Sequence, residues 1–135
     1  MTAHRVADDD AGARAAVWVA LGELYLDTQM TPHTQEHIVR LLAASPYSIE
    51  ELHHILVDEV HPALHANLMQ VAGEWAGFED GWLVARVRET CARPLWRRRL
   101  SRLTLDLVSD DWRAVREYLL EQRADKARDR TLRQA

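Results

Sequence analysis

The sequence predicts an all-α protein, a compact single-domain bundle of six or seven helices. The first observation is a capping box, in which Ser48 and Glu51 are spaced to satisfy each other's backbone N–H groups at a helix start. The second is an apolar stripe at offsets 0, 4, 7 and 11, typical of one helix face, which occurs twice. The third is the scarcity of alternating strand patterns. The stripes are Leu64, Leu68, Val71 and Trp75, and Trp96, Leu100, Leu103 and Leu107.

Composition agrees with a globular domain. The chain has 135 residues, 47% of them hydrophobic and 28% charged, with five glycines and four prolines. That length suffices to bury one core, and the balance is neither disordered nor fibrous. No apolar run approaches the roughly 18–20 residues that cross a bilayer, and the first residues lack a signal-peptide core. With its single cysteine, Cys91, the chain is expected to be cytoplasmic and without membrane contact.

The first half of the chain predicts four helices. A helix over about residues 10–27 is apolar on two sides, which is typical of a central helix that is packed all round. Thr31 and Pro32 begin a second helix, since threonine is a favoured N-cap and proline is favoured at the first helical position. A third helix follows the capping box and is expected to end near His61, where Pro62 interrupts it and begins the next one.

The second half predicts the remaining helices. Asp80 begins one of them, and after Pro94 the second apolar stripe predicts a helix that packs in the core. The run "LTLDLV" within this stripe also alternates, which leaves a strand as the alternative. From Arg123 onward the chain is charged and has few large apolar residues. We therefore assign residues 1–122 to one helical domain and residues 123–135 to a frayed or extended helical tail.

The net charge of −4 is unevenly distributed. Residues 1–90 contain 5 Lys/Arg against 14 Asp/Glu, whereas residues 91–135 contain 12 against 7. Two interpretations are open: the halves attract each other within one fold, or the arginine-rich stretch 93–102 binds nucleic acid or an acidic partner. The overall acidity argues against a dedicated nucleic-acid-binding protein, because phosphate neutralisation dominates the affinity of such proteins.

A polar face is predicted on the helix after the capping box. At about 100° per residue, His54, Asp58 and His61 project together, with Glu50 beside them and the apolar residues opposite. Imidazole and carboxylate bind zinc and other divalent metals, so these three residues are weak metal candidates. Polar side chains belong opposite an apolar stripe in any case. The sequence therefore favours a solvated, partner-binding face, and it predicts no cofactor.

Two residues stand apart from these patterns. Glu59 projects into the apolar arc, where a carboxylate is unfavourable unless it is paired. An arginine, an indole N–H or a helix N-terminus is the expected partner, and proton transfer is the alternative. Most of the five tryptophans occupy stripe positions and are expected in the core. Trp82 is the exception: it is predicted to be an accessible anchor for a partner, with packing under the N-terminal helix as the alternative.

A series of short motifs fills residues 45–83. They are "SPYS", "EEL", "DEV", "P-x-L", "NL", "VAGEW", "GF" and "WL", in this order. The pattern resembles a family of small bacterial helical proteins known only as a domain of unknown function, over about residues 15–90. The resemblance implies a shared helical fold and brings no activity with it. Within these motifs, Asn67 and Glu74 project together beside the apolar stripe, and we predict that they are buried polar residues like Glu59.

These observations favour a non-catalytic protein–protein interaction module, in the manner of a bacterial immunity, antitoxin or adaptor protein. Such a module would bind a basic partner through the face of Glu50, His54, Asp58 and His61, with Trp82 as an apolar anchor. A homodimer is a close variant. Two alternatives stay open: a metal-dependent enzyme that uses the three metal candidates, and a helix-turn-helix DNA-binding regulator. Four carboxylates and no Lys or Arg on the third helix argue against DNA.

Overall fold

The computed structural model describes residues 2–26, 30–68 and 79–134, with side chains in 11–26, 30–65 and 79–134. Every secondary-structure element in these ranges is helical, which confirms the predicted all-α class. No helix within them is long and apolar enough to span a membrane. The α-helices are α1 (Thr2–Gly22), α2 (Pro32–Ala44), α3 (Ile49–Ile55), α4 (His61–Leu68), α5 (Asp80–Cys91), α6 (Leu95–Arg99) and α7 (Asp106–Gln134).

Three short segments of other helix types connect these elements. A 3-10 turn at Glu23–Tyr25 follows α1, and a π-helical segment at Leu56–Val60, here called the π segment, joins α3 to α4. The 3-10 linker, Leu100–Thr104, lies between α6 and α7. The strand alternative for "LTLDLV" is therefore wrong, because this run consists of the end of the 3-10 linker, a turn at Leu105 and the start of α7.

Helix α1 is the central element of the core, as its two apolar sides predict. Val17, Ala20 and Leu21 are buried, and α1 contacts α2, α5 and the π segment. The end of α1 approaches α5 so closely that a Cβ atom on Gly22 would overlap the Leu83 side chain. Glycine at this position therefore permits the close approach of the two helices.

The predicted helix starts are confirmed at α2 and α3. Thr31 Oγ1 accepts from the Thr34 N–H at 3.2 Å, and Pro32 is the first residue of α2. Both halves of the capping box are present at α3. The Ser48 hydroxyl accepts from the Glu51 N–H, and the Glu51 carboxylate accepts from the Ser48 N–H, each at 3.1 Å. Short-range chemistry thus determines where these helices begin.

A new α-helix, α4, begins at His61 as predicted, but the expected interruption at Pro62 is absent, because α3, the π segment and α4 follow one another without a break. The π segment widens the turn at the point where the proline ring would clash with the carbonyl four residues earlier. That carbonyl belongs to Asp58, and in a regular α-helix it would accept from the N–H that Pro62 lacks. Arg98 Nη1 donates to it instead, at 2.8 Å. A side chain from the C-terminal half thus substitutes for a helical hydrogen bond.

Helix α7 packs against α2 and extends beyond the core. Arg123 donates to the Leu42 carbonyl at 3.1 Å, close to the point where α7 leaves the rest of the fold. Residues 124–134 continue the helix with exposed side chains. The buried side of α7 consists of Val108, Trp112, Val115 and Leu119.

In the segment from α6 to the start of α7, polar side chains and Leu105 face the core, whereas the apolar stripe does not, contrary to the prediction. Its apolar stripe is exposed: 67% for Trp96, 60% for Leu100, 87% for Leu103 and 54% for Leu107. Ser101, by contrast, is buried. The physical reason is the surface on which this segment packs. The π segment and α4 offer hydrogen-bonding groups there, and only polar side chains can satisfy them.

Candidate functional site

Only part of the acidic face predicted from the sequence is exposed to solvent. Glu50 and His54 are exposed, whereas the Asp58 side chain is 14% exposed and His61 is fully buried. The prediction that His61 lies on an external, partner-binding side is therefore wrong. The 3-10 linker covers this side at His61, and the π segment just before it has a wider turn than the regular α-helix assumed in the projection.

His61 is the centre of a buried hydrogen-bonded group. Its Nε2 atom lies 2.9 Å from the Ser101 carbonyl oxygen and 3.0 Å from Thr104 Oγ1, and its Nδ1 atom lies 2.8 Å from the Tyr25 hydroxyl. A carbonyl only accepts, so Nε2 carries the hydrogen and donates. Nδ1 is then an acceptor, and the Tyr25 hydroxyl donates to it. The geometry thus defines one neutral tautomer of His61.

Burial keeps this group uncharged. Desolvation lowers the pKa of His61 from 6.5 to about 4, and the nearby His65 ring adds to the lowering. Burial also raises the pKa of Tyr25 well above its ordinary value. Both ring nitrogens of His61 are already bonded within the protein. The group is therefore suited to hold the 3-10 linker against α4 rather than to transfer protons.

We expect the free energy of unfolding to fall as the pH is lowered from about 6.5 to about 4. In this window the unfolded chain binds a proton at His61 and the folded protein does not, so acid favours unfolding. The full pKa difference corresponds to roughly 3 kcal/mol. Urea titrations of the wild type and of a His61→Gln variant at pH 7 and pH 4.5 measure the effect. The same pH dependence in both proteins would contradict the assignment.

Asp58 connects the two halves of the chain. Its carboxylate accepts from Arg102 Nη2 at 2.9 Å, the Nε atom of Arg99 lies 3.8 Å from the same oxygen, and its carbonyl accepts from Arg98. Three of the five arginines in residues 93–102 thus contact one residue of the acidic half. For Arg99 and Arg102, which pair with the carboxylate, the charge asymmetry reflects attraction within the fold.

The weak metal candidates His54, Asp58 and His61 are not brought together. His54 Nδ1 lies 3.9 Å from an Asp58 carboxylate oxygen, but both ring nitrogens of His61 point into the buried group. Within the ranges that the structure describes, no three His, Cys, Asp or Glu side chains converge on a common point. A site made of these three residues is therefore not supported by their geometry.

Glu59 forms an ion pair that joins the π segment to α1. Its carboxylate accepts from Arg14 Nε at 3.0 Å, from Arg14 Nη2 at 2.7 Å and from the Trp18 indole N–H at 2.9 Å. The Arg14 guanidinium also lies over the Tyr47 ring, 5.2 Å from its centroid. Arginine and indole are two of the partners expected from the sequence. Because the arginine binds the carboxylate with two hydrogen bonds, the geometry is that of a structural pair.

The remaining predicted residues lie at the surface or outside the described part. Trp82, near the start of α5, is 41% exposed, and its role as an anchor for a partner stays a prediction. The Asn67 side chain and all of Glu74 lie outside the described residues. Their assignment as buried polar residues stays a prediction.

One surface was missed by the sequence reasoning, and we call it the apolar ridge. The helical spacing correctly placed its members on one side of the segment, but that side faces solvent. The sequence signal for the outward orientation lies on the other side of the segment, where Ser101 and Thr104 follow each other at helical spacing. Both of them contact His61. The apolar ridge consists of Trp96, Leu100, Leu103 and Leu107.

Comparison with known proteins places the chain in a family. A family model matches residues 12–121. It extends beyond the motifs described above and includes the arginine-rich stretch and the apolar ridge. No curated protein and no solved structure matches the chain. Since the model covers most of the chain, the protein belongs to the family described as a domain of unknown function, DUF7079.

Proposed function

We propose that this protein is a non-catalytic protein-binding module that docks its partner on the apolar ridge. The observation that carries the proposal is the exposure of four large apolar side chains along one segment, between 54% and 87%. Single exposed leucines are normal, but a row of them on a folded domain is typical of an interaction surface. Trp96 supports this function, because tryptophan is enriched where binding energy concentrates.

Arginines border the ridge. Arg97 is exposed and has no hydrogen-bonding or ionic partner in the part of the chain that the structure describes. The side chains of Arg99 and Arg102 contact Asp58 yet stay 50% and 44% exposed. A partner that covers the ridge therefore meets positive charge at its edges.

These features favour a partner that presents an acidic amphipathic helix. Its apolar side would cover the leucines, and its flanking carboxylates would pair with the arginines. Two copies of this chain docked ridge to ridge around a two-fold axis would bring arginines against arginines, which is unfavourable. An acidic partner is therefore preferred over the homodimer.

The earlier hypotheses have less support. Of the acidic face, Glu50 and His54 remain at the surface, but Arg102 and Arg99 offset the charge of Asp58. A basic partner would therefore find little net negative charge there. DNA binding through α3 is disfavoured by its exposed Glu50 and Glu51, which phosphates repel. A cytoplasmic bacterial adaptor, antitoxin or immunity protein remains the proposed setting for the docking function.

Covering the ridge contributes a large share of the binding free energy. Burial of one large apolar side chain contributes roughly 1.5–3 kcal/mol, so four contribute at most about 6–12 kcal/mol. Association itself costs about 4–15 kcal/mol. The arginine contacts therefore decide whether binding is tight, and the affinity is expected to fall as salt is added.

The substitution Leu103→Glu is expected to weaken docking by at least about 10-fold, because it places a charge in the centre of the covered surface. The probe is a fluorescein-labelled helical peptide of about 20 residues, 30 Å long, with leucines on one side and glutamates beside them. Fluorescence anisotropy measures its affinity. Leu132→Glu is the matched control, because Leu132 is 73% exposed on α7, away from the ridge. The control should bind like the wild type.

Several results would contradict this proposal. Equal affinity of the wild type and Leu103→Glu is one, and equal binding of a peptide with lysines in place of the glutamates is another. A loss of stability in Leu103→Glu, but not in Leu132→Glu, would mean that the chain itself covers the ridge. A dimer in sedimentation experiments that Leu103→Glu dissociates would assign the ridge to self-association.

A further inference from the structure

A cavity of about 190 Å³ lies next to the apolar ridge, where the end of α5 and helix α6 meet α4. It is a separate feature from the ridge, although Leu100 of the ridge and Arg97 at its edge also line the cavity. The residues that matter for its chemistry are His65, Thr90, Arg93, Arg97, Arg98 and Ser101.

The cavity is strongly basic. Three arginines line it, and no carboxylate is among its described lining residues. The guanidinium groups of Arg93 and Arg97 have no hydrogen-bonding or ionic partner within the described ranges. A concave site with low-dielectric walls focuses the field of such cations, which favours an anion there.

Arg98 supplies a third cation in a fixed position. Its Nε atom donates to the Arg93 carbonyl at 3.1 Å, and its Nη1 atom donates to the Asp58 carbonyl at 2.8 Å. Both acceptors are neutral, so these two bonds orient the guanidinium without cancelling its charge. The backbone of the fold therefore holds one face of the cavity positive.

The hydroxyl groups of the cavity wall direct their hydrogens elsewhere. Thr90 Oγ1 donates to the Arg86 carbonyl at 2.9 Å, and Ser101 Oγ donates to the Arg98 carbonyl at 2.8 Å. A ligand must then take its hydrogen bonds from the arginines and from His65. Groups that only accept hydrogen bonds and carry negative charge fit this demand, and oxyanions have both properties.

The size of the cavity selects a compact ligand. Sites for drug-sized molecules have volumes of roughly 300–1,000 Å³, so 190 Å³ suits a group of few heavy atoms. The planar guanidinium fork matches the oxygen spacing of phosphate and of carboxylate. A dianion balances more of the charge of three arginines than a monoanion does, which favours phosphate.

We propose that this cavity binds a compact phosphate-class dianion, held by Arg93 and Arg97 with Arg98 behind them. The proposal goes beyond the docking function and does not depend on it. The phosphate group belongs either to a free small anion or ester, or to a phosphorylated side chain of a protein. The two sources share the same chemistry at the arginines, and the experiment separates them.

Isothermal titration calorimetry of the full chain in a phosphate-free buffer of low ionic strength tests the proposal. Inorganic phosphate should bind at least about 10-fold more tightly than acetate, and Arg93→Gln and Arg97→Gln should each weaken it by at least about 10-fold. Arg113→Gln is the matched control, because it removes the same charge from an exposed arginine of α7. It should bind phosphate like the wild type.

Unchanged affinity for phosphate in Arg93→Gln and Arg97→Gln would overturn the proposal. An equal loss of affinity in Arg113→Gln would also overturn it, because binding would then depend only on the net charge of the protein. Acetate that binds as tightly as phosphate would overturn the choice of a dianion.

With the arginine dependence established, a phosphoserine peptide that binds at least about 10-fold more tightly than phosphate assigns the ligand to a phosphorylated protein. Equal affinities assign it to a free anion. Leu103→Glu should retain phosphate binding, so a failure of docking and a failure of this proposal are separate results.

Discussion

Replacing His61 by alanine is expected to lower the free energy of unfolding by about 3–5 kcal/mol, because the substitution opens a cavity and leaves buried polar groups without their partner. The Tyr25 hydroxyl and the Ser101 carbonyl both lose a hydrogen bond in the core. Urea titration at pH 7 measures the change. His54→Ala is the matched control, because the His54 side chain is 61% exposed. A loss below about 1 kcal/mol for His61→Ala would contradict this structural role.

The same variant tests whether His61 positions the apolar ridge. The His61 ring holds the 3-10 linker through the Ser101 carbonyl and the Thr104 hydroxyl. Loss of these bonds should accelerate amide hydrogen exchange in the 3-10 linker more than in α2, which has no contact with the ring among its described hydrogen bonds. A uniform acceleration along the chain would instead mean that the variant is only less stable overall.

Replacing Glu59 by leucine is expected to cost about 2–4 kcal/mol. The substitution leaves the Arg14 guanidinium and the Trp18 indole N–H without their acceptor. The value lies below that for a fully buried pair, because the Arg14 side chain is 35% exposed and water can solvate it. Chemical denaturation of the purified variant measures the loss.

A double-mutant cycle with Arg14→Met provides the control for this pair. If the two groups stabilise each other, the double variant should be more stable than the sum of the single losses predicts, by about 1–3 kcal/mol. Replacement of both charges by apolar groups removes the unpaired guanidinium together with its acceptor. Strict additivity of the two single losses would show that the ion pair contributes nothing measurable.

The Glu59 ion pair and the His61 group both connect residues that are far apart in the sequence. Glu59 joins the π segment to Arg14 and Trp18 of α1, and His61 joins α4 to the 3-10 linker. They lie two residues apart in the same helical run. Together they fix the position of the acidic half and the arginine-rich half relative to each other, and with it the direction in which the apolar ridge points.

The class of the fold and the starts of α2 and α3 follow from the local sequence. Capping at Thr31 and Ser48 involves donors and acceptors within three residues, so the local sequence contains the whole interaction. The central position of α1 followed from its two apolar sides. Pairing of Glu59 with an arginine or an indole also followed, because a carboxylate in an apolar arc needs such a partner.

The tertiary structure alone decided where His61 points. A projection at constant helical pitch places it outside, whereas in the fold the 3-10 linker covers it and the π segment lies just before it. The sequence contains no local signal for that segment beyond Pro62. Its stabilising contact comes from Arg98, which is 40 residues from Asp58 along the chain. The spacing of residues within a helix does not predict a contact between residues so far apart in the sequence.

The direction of the apolar ridge was also beyond the sequence. Periodicity shows that Trp96, Leu100 and Leu103 share a side, but not whether that side meets the core. The surface beneath them presents His61 and the Asp58 carbonyl, and an unpaired buried polar group costs roughly 2–7 kcal/mol. Exposure of one large apolar side chain costs roughly 1.5–3 kcal/mol. Per group, an unsatisfied buried hydrogen bond costs more free energy than an exposed leucine. The polar side of the segment therefore faces the core, and the ridge faces solvent.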